Sequence, residues 1–121
     1  MAERKQLDVS DVGDVTVVRF TDRRILLDAN NIEELGEQLF GIVNRPGGRN
    51  LLLNFREVEF LSSAALNKLI ILDKKTRNLG GKLKLSNLRP EIHEVFVITR
   101  LNQLFDIHEE ETDALASFAK P

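Results

Sequence analysis

The run Leu51-Leu52-Leu53-Asn54-Phe55 constrains this chain more than any other stretch. Successive side chains of a strand point to opposite sides, so three leucines in a row followed by phenylalanine leave neither side wet. The run predicts a strand covered on both faces, as in the middle of a parallel or mixed sheet. Glu57-Val58-Glu59-Phe60-Leu61 then breaks it, and Ser62-Ser63 stands where a helix has to start. A serine at that place accepts a hydrogen bond from a first-turn N–H that has no other partner.

The helix that follows is read by placing residues at about 100° per position around its axis. Ala65, Leu66, Leu69, Ile70, Leu72 and Thr76 fall on one side, and Asn67, Lys68, Lys74, Lys75 and Asn78 on the other. Two residues break the pattern. Ile71 lies in the middle of the polar arc, either as a single exposed apolar side chain of the common kind or as a contact for a partner. Asp73 lies on the apolar side, with Arg77 one turn on in the favourable acid-before-base order.

The rest of the chain alternates strands with helices. Leu7 to Ser10 and Val15 to Phe20 predict an opening hairpin turned by Asp11-Val12-Gly13-Asp14, and Ile25-Leu26-Leu27 is a brief apolar run ending at Asp28. A first helix is predicted from Asp28-Ala29-Asn30-Asn31, with Ile32, Leu35, Leu39, Ile42 and Val43 at helical spacing and Arg45-Pro46-Gly47-Gly48 as its end. Gly36 inside it costs about 1 kcal/mol against alanine and points to a close neighbour. Lys82-Leu83-Lys84-Leu85 alternates like a strand with one wet face near a sheet edge. Ser86-Asn87 offers the cap of a third helix with Pro90 in its first turn and Ile92, Val95, Phe96 and Thr99 on its apolar side, stopping near Arg100. Leu104 to Ile107 predicts a last short strand, and the acids Glu109 to Glu111 lead into a terminal helix over Ala114 to Ala119. The expected fold is α/β, a single domain over 1–121 built as a mixed β-sheet with helices packed against it.

Composition narrows the function. A formal net charge of -2 with interspersed signs gives no footprint for nucleic acid or anionic lipid. No apolar run approaches membrane length and Met1 to Gln6 lacks the core of a signal peptide, so a cytoplasmic protein is expected, in keeping with the absence of cysteine. No cofactor or metal is implied: His93 and His108 stand without cysteine or a zinc-binding motif, and neither glycine pair makes a phosphate loop. Ser62 and Ser63 lack the elbow motif of a nucleophilic serine and have no histidine nominated as base, so the chain reads as a binding module and not as an enzyme.

The strand, serine pair and amphipathic helix together resemble a STAS domain of the anti-sigma factor antagonist type. Phe60-Leu61-Ser62-Ser63-Ala64-Ala65-Leu66 occupies the place of that family's Asp-Ser-[Ser/Thr]-Gly-[Leu/Ala] motif. Val95-Phe96, Thr99, Leu101, Leu104-Phe105 and Ile107 follow its spacing at the third helix and last strand, and Leu27-Asp28 before Ile32-Glu33-Glu34-Leu35 resembles its approach to the first helix. The resemblance implies a protein partner, an anti-sigma factor with serine kinase activity, that phosphorylates Ser62, or less readily Ser63. Ser62 as a cap is expected to have the more accessible hydroxyl. Asp28, Leu61, Ser62, Ser63, Asn67, Lys68 and Ile71 are the candidate partner-binding residues. Leu61 replaces the motif aspartate and Ala64 its glycine, which leaves open a scaffold that binds constitutively and is never phosphorylated.

Overall fold

The computed structural model describes residues 7–21, 29–45 and 50–119. β1 (Leu7–Val12) and β2 (Val15–Phe20) form the predicted hairpin. It turns on Gly13-Asp14, where Gly13 takes the left-handed φ of 60° that suits a residue without Cβ, so β1 runs two residues past its expected end. The chain continues through α1 (Ala29–Asn44), β3 (Leu51–Asn54), α2 (Ser63–Asn78), β4 (Leu83–Ser86), α3 (Pro90–Ile98), a 3-10 turn at Leu101–Gln103, β5 (Asp106–His108) and α4 (Glu111–Phe118). The five strands lie in sequence order, and β2 to β5 are mutually parallel. β3 is therefore central, and Leu51, Leu52, Leu53 and Phe55 are each fully inaccessible, as the apolar run requires.

The helices divide between the two faces. Ile32, Leu35, Leu39 and Val43 of α1, Ala65, Leu66, Leu69 and Leu72 of α2 and Ile92 and Phe96 of α3 join Val18, Phe20, Leu51, Leu53 and Leu85 in one core. Phe20, Phe55, Phe96 and Phe105 form an edge-on chain through it, with centroids 5.0, 6.4 and 5.7 Å apart. Across the sheet a smaller cluster of Val15, Val17, Leu52 and Ala114 lies under α4, flanked by Leu115 and Phe118.

Three expectations are corrected. β4 is not wet on one face: Lys84 is buried beneath α4, its ammonium 2.9 Å from Asp106 Oδ2 and 2.7 Å from Ser117 Oγ, over the ring of Phe118. β4 does lie near the sheet edge, one strand inside β5, which forms it. Ser86-Asn87 does not cap α3, because Ser86 is spent in β4 and Asn87 turns with φ 59°; Arg89 is the cap residue, without a side-chain bond, and Pro90 opens the helix as expected. The last strand begins two residues later than expected, after the 3-10 turn. The expected cap at Asp28 and the run Ile25 to Leu27 lie outside the described residues.

Candidate functional site: the loop and helix after the central strand

At the end of β3 the chain turns sharply. The Phe55 N–H donates to Ser86 O at 2.9 Å, the Val58 N–H to Phe55 O at 2.9 Å and the Arg56 N–H to Asn54 Oδ1 at 2.9 Å. Val58, in the stretch that interrupts the apolar run, is fully buried and anchors the loop from below. Arg89, at the start of α3, fastens it from the side: Nε donates to Arg56 O at 3.1 Å, and the guanidinium lies 3.9 Å from the Glu59 carboxylate. Phe60, next to the serine pair, stays 42% exposed, and an aromatic ring in an acidic stretch was the signal for it. Leu61 packs against the main core.

Ser62 is the cap of α2. Its backbone is extended, with φ -83° and ψ 163°, and its Oγ accepts the Ala65 N–H at 3.2 Å while its carbonyl accepts the Leu66 N–H at 3.0 Å. The helix has no acid in its first turn. The expected order of accessibility is reversed: Ser62 is half-buried, whereas Ser63 is exposed.

Along α2 the other candidates separate. Ser63, Asn67, Lys74 and Asn78 lie on one exposed stripe. Lys68 is drawn toward α1, its Nζ 3.1 Å from Glu33 Oε2 and its stem across Gly36, where an added Cβ would stand 3.2 Å from Lys68 Cδ. This is the close approach that a glycine inside α1 predicted. Lys75 likewise places its ammonium 5.1 Å from the ring centroid of Phe40. Ile71 is half-buried and not fully exposed, because it lies between the open stripe and the edge of α2 that meets α1. Asp28 lies outside the described residues, so the candidates brought onto one surface are Ser62, Ser63, Asn67 and the border residue Ile71.

The predicted pair of Asp73 and Arg77 holds the back of the helix. Arg77 Nε lies 2.8 Å from Asp73 Oδ2, and the same guanidinium donates to Leu104 O at 3.2 Å, tying α2 to the segment before β5. Burial pushes the Asp73 carboxyl above its ordinary range, and the Arg77 charge opposes the shift without cancelling it. Among the described residues no group of three acidic, histidine or cysteine side chains could hold a metal ion. None of their helices is long and apolar enough to cross a membrane.

A hairpin feeding a parallel sheet, with a capped serine at the mouth of the helix after the central strand, defines the class of fold in which a loop and a helix face are presented by a rigid sheet. The chain belongs to the STAS domain family, whose profile matches residues 6–114. It is 29% identical over 93 residues to BtrV of Bordetella bronchiseptica, named as a candidate anti-sigma factor antagonist, across 77% of this chain and 79% of that one. Its fold is similar to that of a candidate anti-sigma factor antagonist from Thermotoga maritima, with TM-score 0.86 and 19% identity over 94% of this chain and 95% of the other. It is also similar to the anti-sigma factor antagonist SpoIIAA in its unphosphorylated form, with TM-score 0.69 and 15% identity over 92% and 94% of the two chains. SpoIIAA, a Bacillus cell fate determinant, has a solved phosphorylated form as well.

Proposed function

We propose that this domain is a non-catalytic, cytoplasmic binding module of the anti-sigma factor antagonist kind. It engages a protein partner, an anti-sigma factor with serine kinase activity, through the Leu61-Ser62-Ser63 loop and the exposed stripe of α2 that Asn67 and Ile71 border. The partner transfers phosphate from ATP to Ser62 Oγ, with ADP leaving, and the modified domain lets go. Neither nucleic acid nor membrane is part of this reading.

The observation that carries it is the position of Ser62 at the N-terminus of a helix of 16 residues. The first N–H groups of a helix have no carbonyl partners within it, and its dipole favours an anion, so a phosphate of about -1.5 to -2 charge is accommodated there. Capping by the hydroxyl is compatible with this, since the bond to Ala65 N–H is local and the residue is half-exposed. The same charge weakens a tight contact wherever the partner presents acids or apolar surface.

A second reading, a scaffold that binds constitutively and is never phosphorylated, is favoured by Leu61. In place of an aspartate that would orient the hydroxyl, an apolar side chain here packs on the core and supplies neither charge nor hydrogen bond. Affinity capture from the native cell, followed by incubation of the captured kinase with ATP and mass spectrometry of the domain, separates the two. Phosphate on Ser62, abolished by Ser62→Ala, is the expected result. Phosphate on Ser63 alone refutes the assignment, and none at all favours the scaffold.

A further inference from the structure

A cavity of about 470 Å3 opens where β4 and β5 end, lined by Leu88, Pro90, His93, Ile107, His108 and Glu109. It lies at the carboxyl ends of parallel strands, the end at which open α/β sheets receive ligands, and its size is within the range of small-molecule sites. The lining has three kinds of chemistry. Leu88 and Ile107 lean on the main core and with Pro90 supply an apolar wall. His108 has its Nε2–H committed, 3.1 Å from Asp106 Oδ1 and 3.3 Å from Ser117 Oγ; the side chains of His93 and Glu109 are exposed and engaged in no hydrogen bond or ion pair among the described residues.

The walls of the cavity are also bonded to the loop that carries Ser62. Arg89, between Leu88 and Pro90, donates to Arg56 O at 3.1 Å. After β5, Glu110, which follows the lining residue Glu109, accepts from the Asn87 side-chain amide at 3.0 Å and lies 3.6 Å from the Arg56 guanidinium. Spreading the cavity therefore moves groups that hold Arg56, six residues before Ser62.

We propose that this cavity binds a small zwitterion, an α-amino acid with an apolar side chain, and that its occupancy is transmitted to the Ser62 loop through Arg89. A His93 imidazole N–H receives the carboxylate, Glu109 receives the ammonium and the wall of Leu88, Pro90 and Ile107 receives the hydrocarbon. A simple acid would face the Glu109 charge unpaired, and a simple amine would leave the His93 N–H without an acceptor.

The test is an NMR titration of the full chain with L-phenylalanine, alongside 3-phenylpropanoate and phenethylamine, which lack the ammonium and the carboxylate. Saturable shifts are expected at the amides of Leu88, His93, Ile107 and Glu109, with smaller concurrent shifts from Glu59 to Ser63. Each control should bind about tenfold more weakly, as should L-phenylalanine to the His93→Ala variant, whose exposed position leaves folding unchanged. Arg89→Met should keep the shifts in the cavity and lose those in the loop. No cavity shifts up to the solubility of phenylalanine would overturn the site, and equal binding of 3-phenylpropanoate would overturn the zwitterion. Loop shifts that persist in Arg89→Met would overturn transmission through Arg89. None of these readouts involves the partner or the phosphate.

Discussion

On the face covered by α1, α2 and α3 the sheet presents Phe20, Leu51, Leu53, Phe55 and Leu85, all 2% exposed or less, whereas toward α4 it sends Arg19, Asn54, Lys84 and His108 alongside Val17 and Leu52. The first face is closed by area: apolar groups removed from water contribute roughly 25 cal/mol per Å2, without regard to direction. The second is closed largely by geometry. Glu111, at the start of α4, accepts from Arg19 at 2.7 Å and from Asn54 at 3.0 Å, and Ser117 accepts from Lys84 at 2.7 Å. Such bonds replace bonds to water and contribute about 1 kcal/mol each. The fold and the Ser62 loop therefore depend on the first face, while α4 is the element held more lightly.

The largest effect is expected from Leu53→Asp, which puts an unpaired charge at the centre of β3 and should cost several kcal/mol, enough to unfold the domain. A cooperative melt near the wild type would place Leu53 at the surface and end the central-strand assignment. A pair of substitutions sharpens the contrast between faces. Phe96→Ala should cost about 3–5 kcal/mol through the cavity it leaves among the phenylalanines. Lys84→Met keeps the stem, and the Asp106 partner it abandons is half-exposed, so under about 1.5 kcal/mol is expected. Equal losses in denaturant unfolding would break the comparison.

Acid should act on the two faces with opposite sign. Burial raises the Asp106 carboxyl, but hydrogen bonds from Lys84 and His108 and their charge outweigh it; for Glu111 burial is likewise outweighed by Asn54 and Arg19, so both lie below the ordinary range. Their stabilisation is fully present above the unfolded carboxylate range near about pH 4 and is lost as pH falls through the lowered folded values. Asp73, on the buried side of α2, is raised, so its protonation on acidification relieves a cost. Backbone amides of α4 should lose exchange protection before those of α2 as pH drops. The reverse order in an acid titration by NMR would contradict the assignment of forces.

Ile71→Glu should have the smallest effect on stability, about 1 kcal/mol or less at a half-buried border position, while weakening partner binding. Calorimetric titration with the captured partner checks it, and unchanged affinity returns Ile71 to an ordinary surface residue.

The legibility of the sequence follows the same division. β3 was readable because three leucines and a phenylalanine admit one environment, and the Ser62 cap because its rule involves neighbours three residues apart. The pair of Asp73 and Arg77 was local too. Lys84 was misread because its partners, Asp106 and Ser117, lie 22 and 33 residues away, and a lysine between leucines looks wet until α4 is placed over it. Ser86 and Asn87 look like cap residues, but pairing with β5 takes precedence. At the site, Arg89 was missed for the same reason: its hold on Arg56 spans 33 residues.

The central claim, that Ser62 and the surface of α2 form a switchable contact, is tested most directly by titrating one partner with the unmodified domain and with the domain phosphorylated on Ser62. The unmodified form should bind and the phosphorylated form should bind at least about tenfold more weakly, because the added charge must be desolvated at the interface. Equal affinity of the two forms would contradict it.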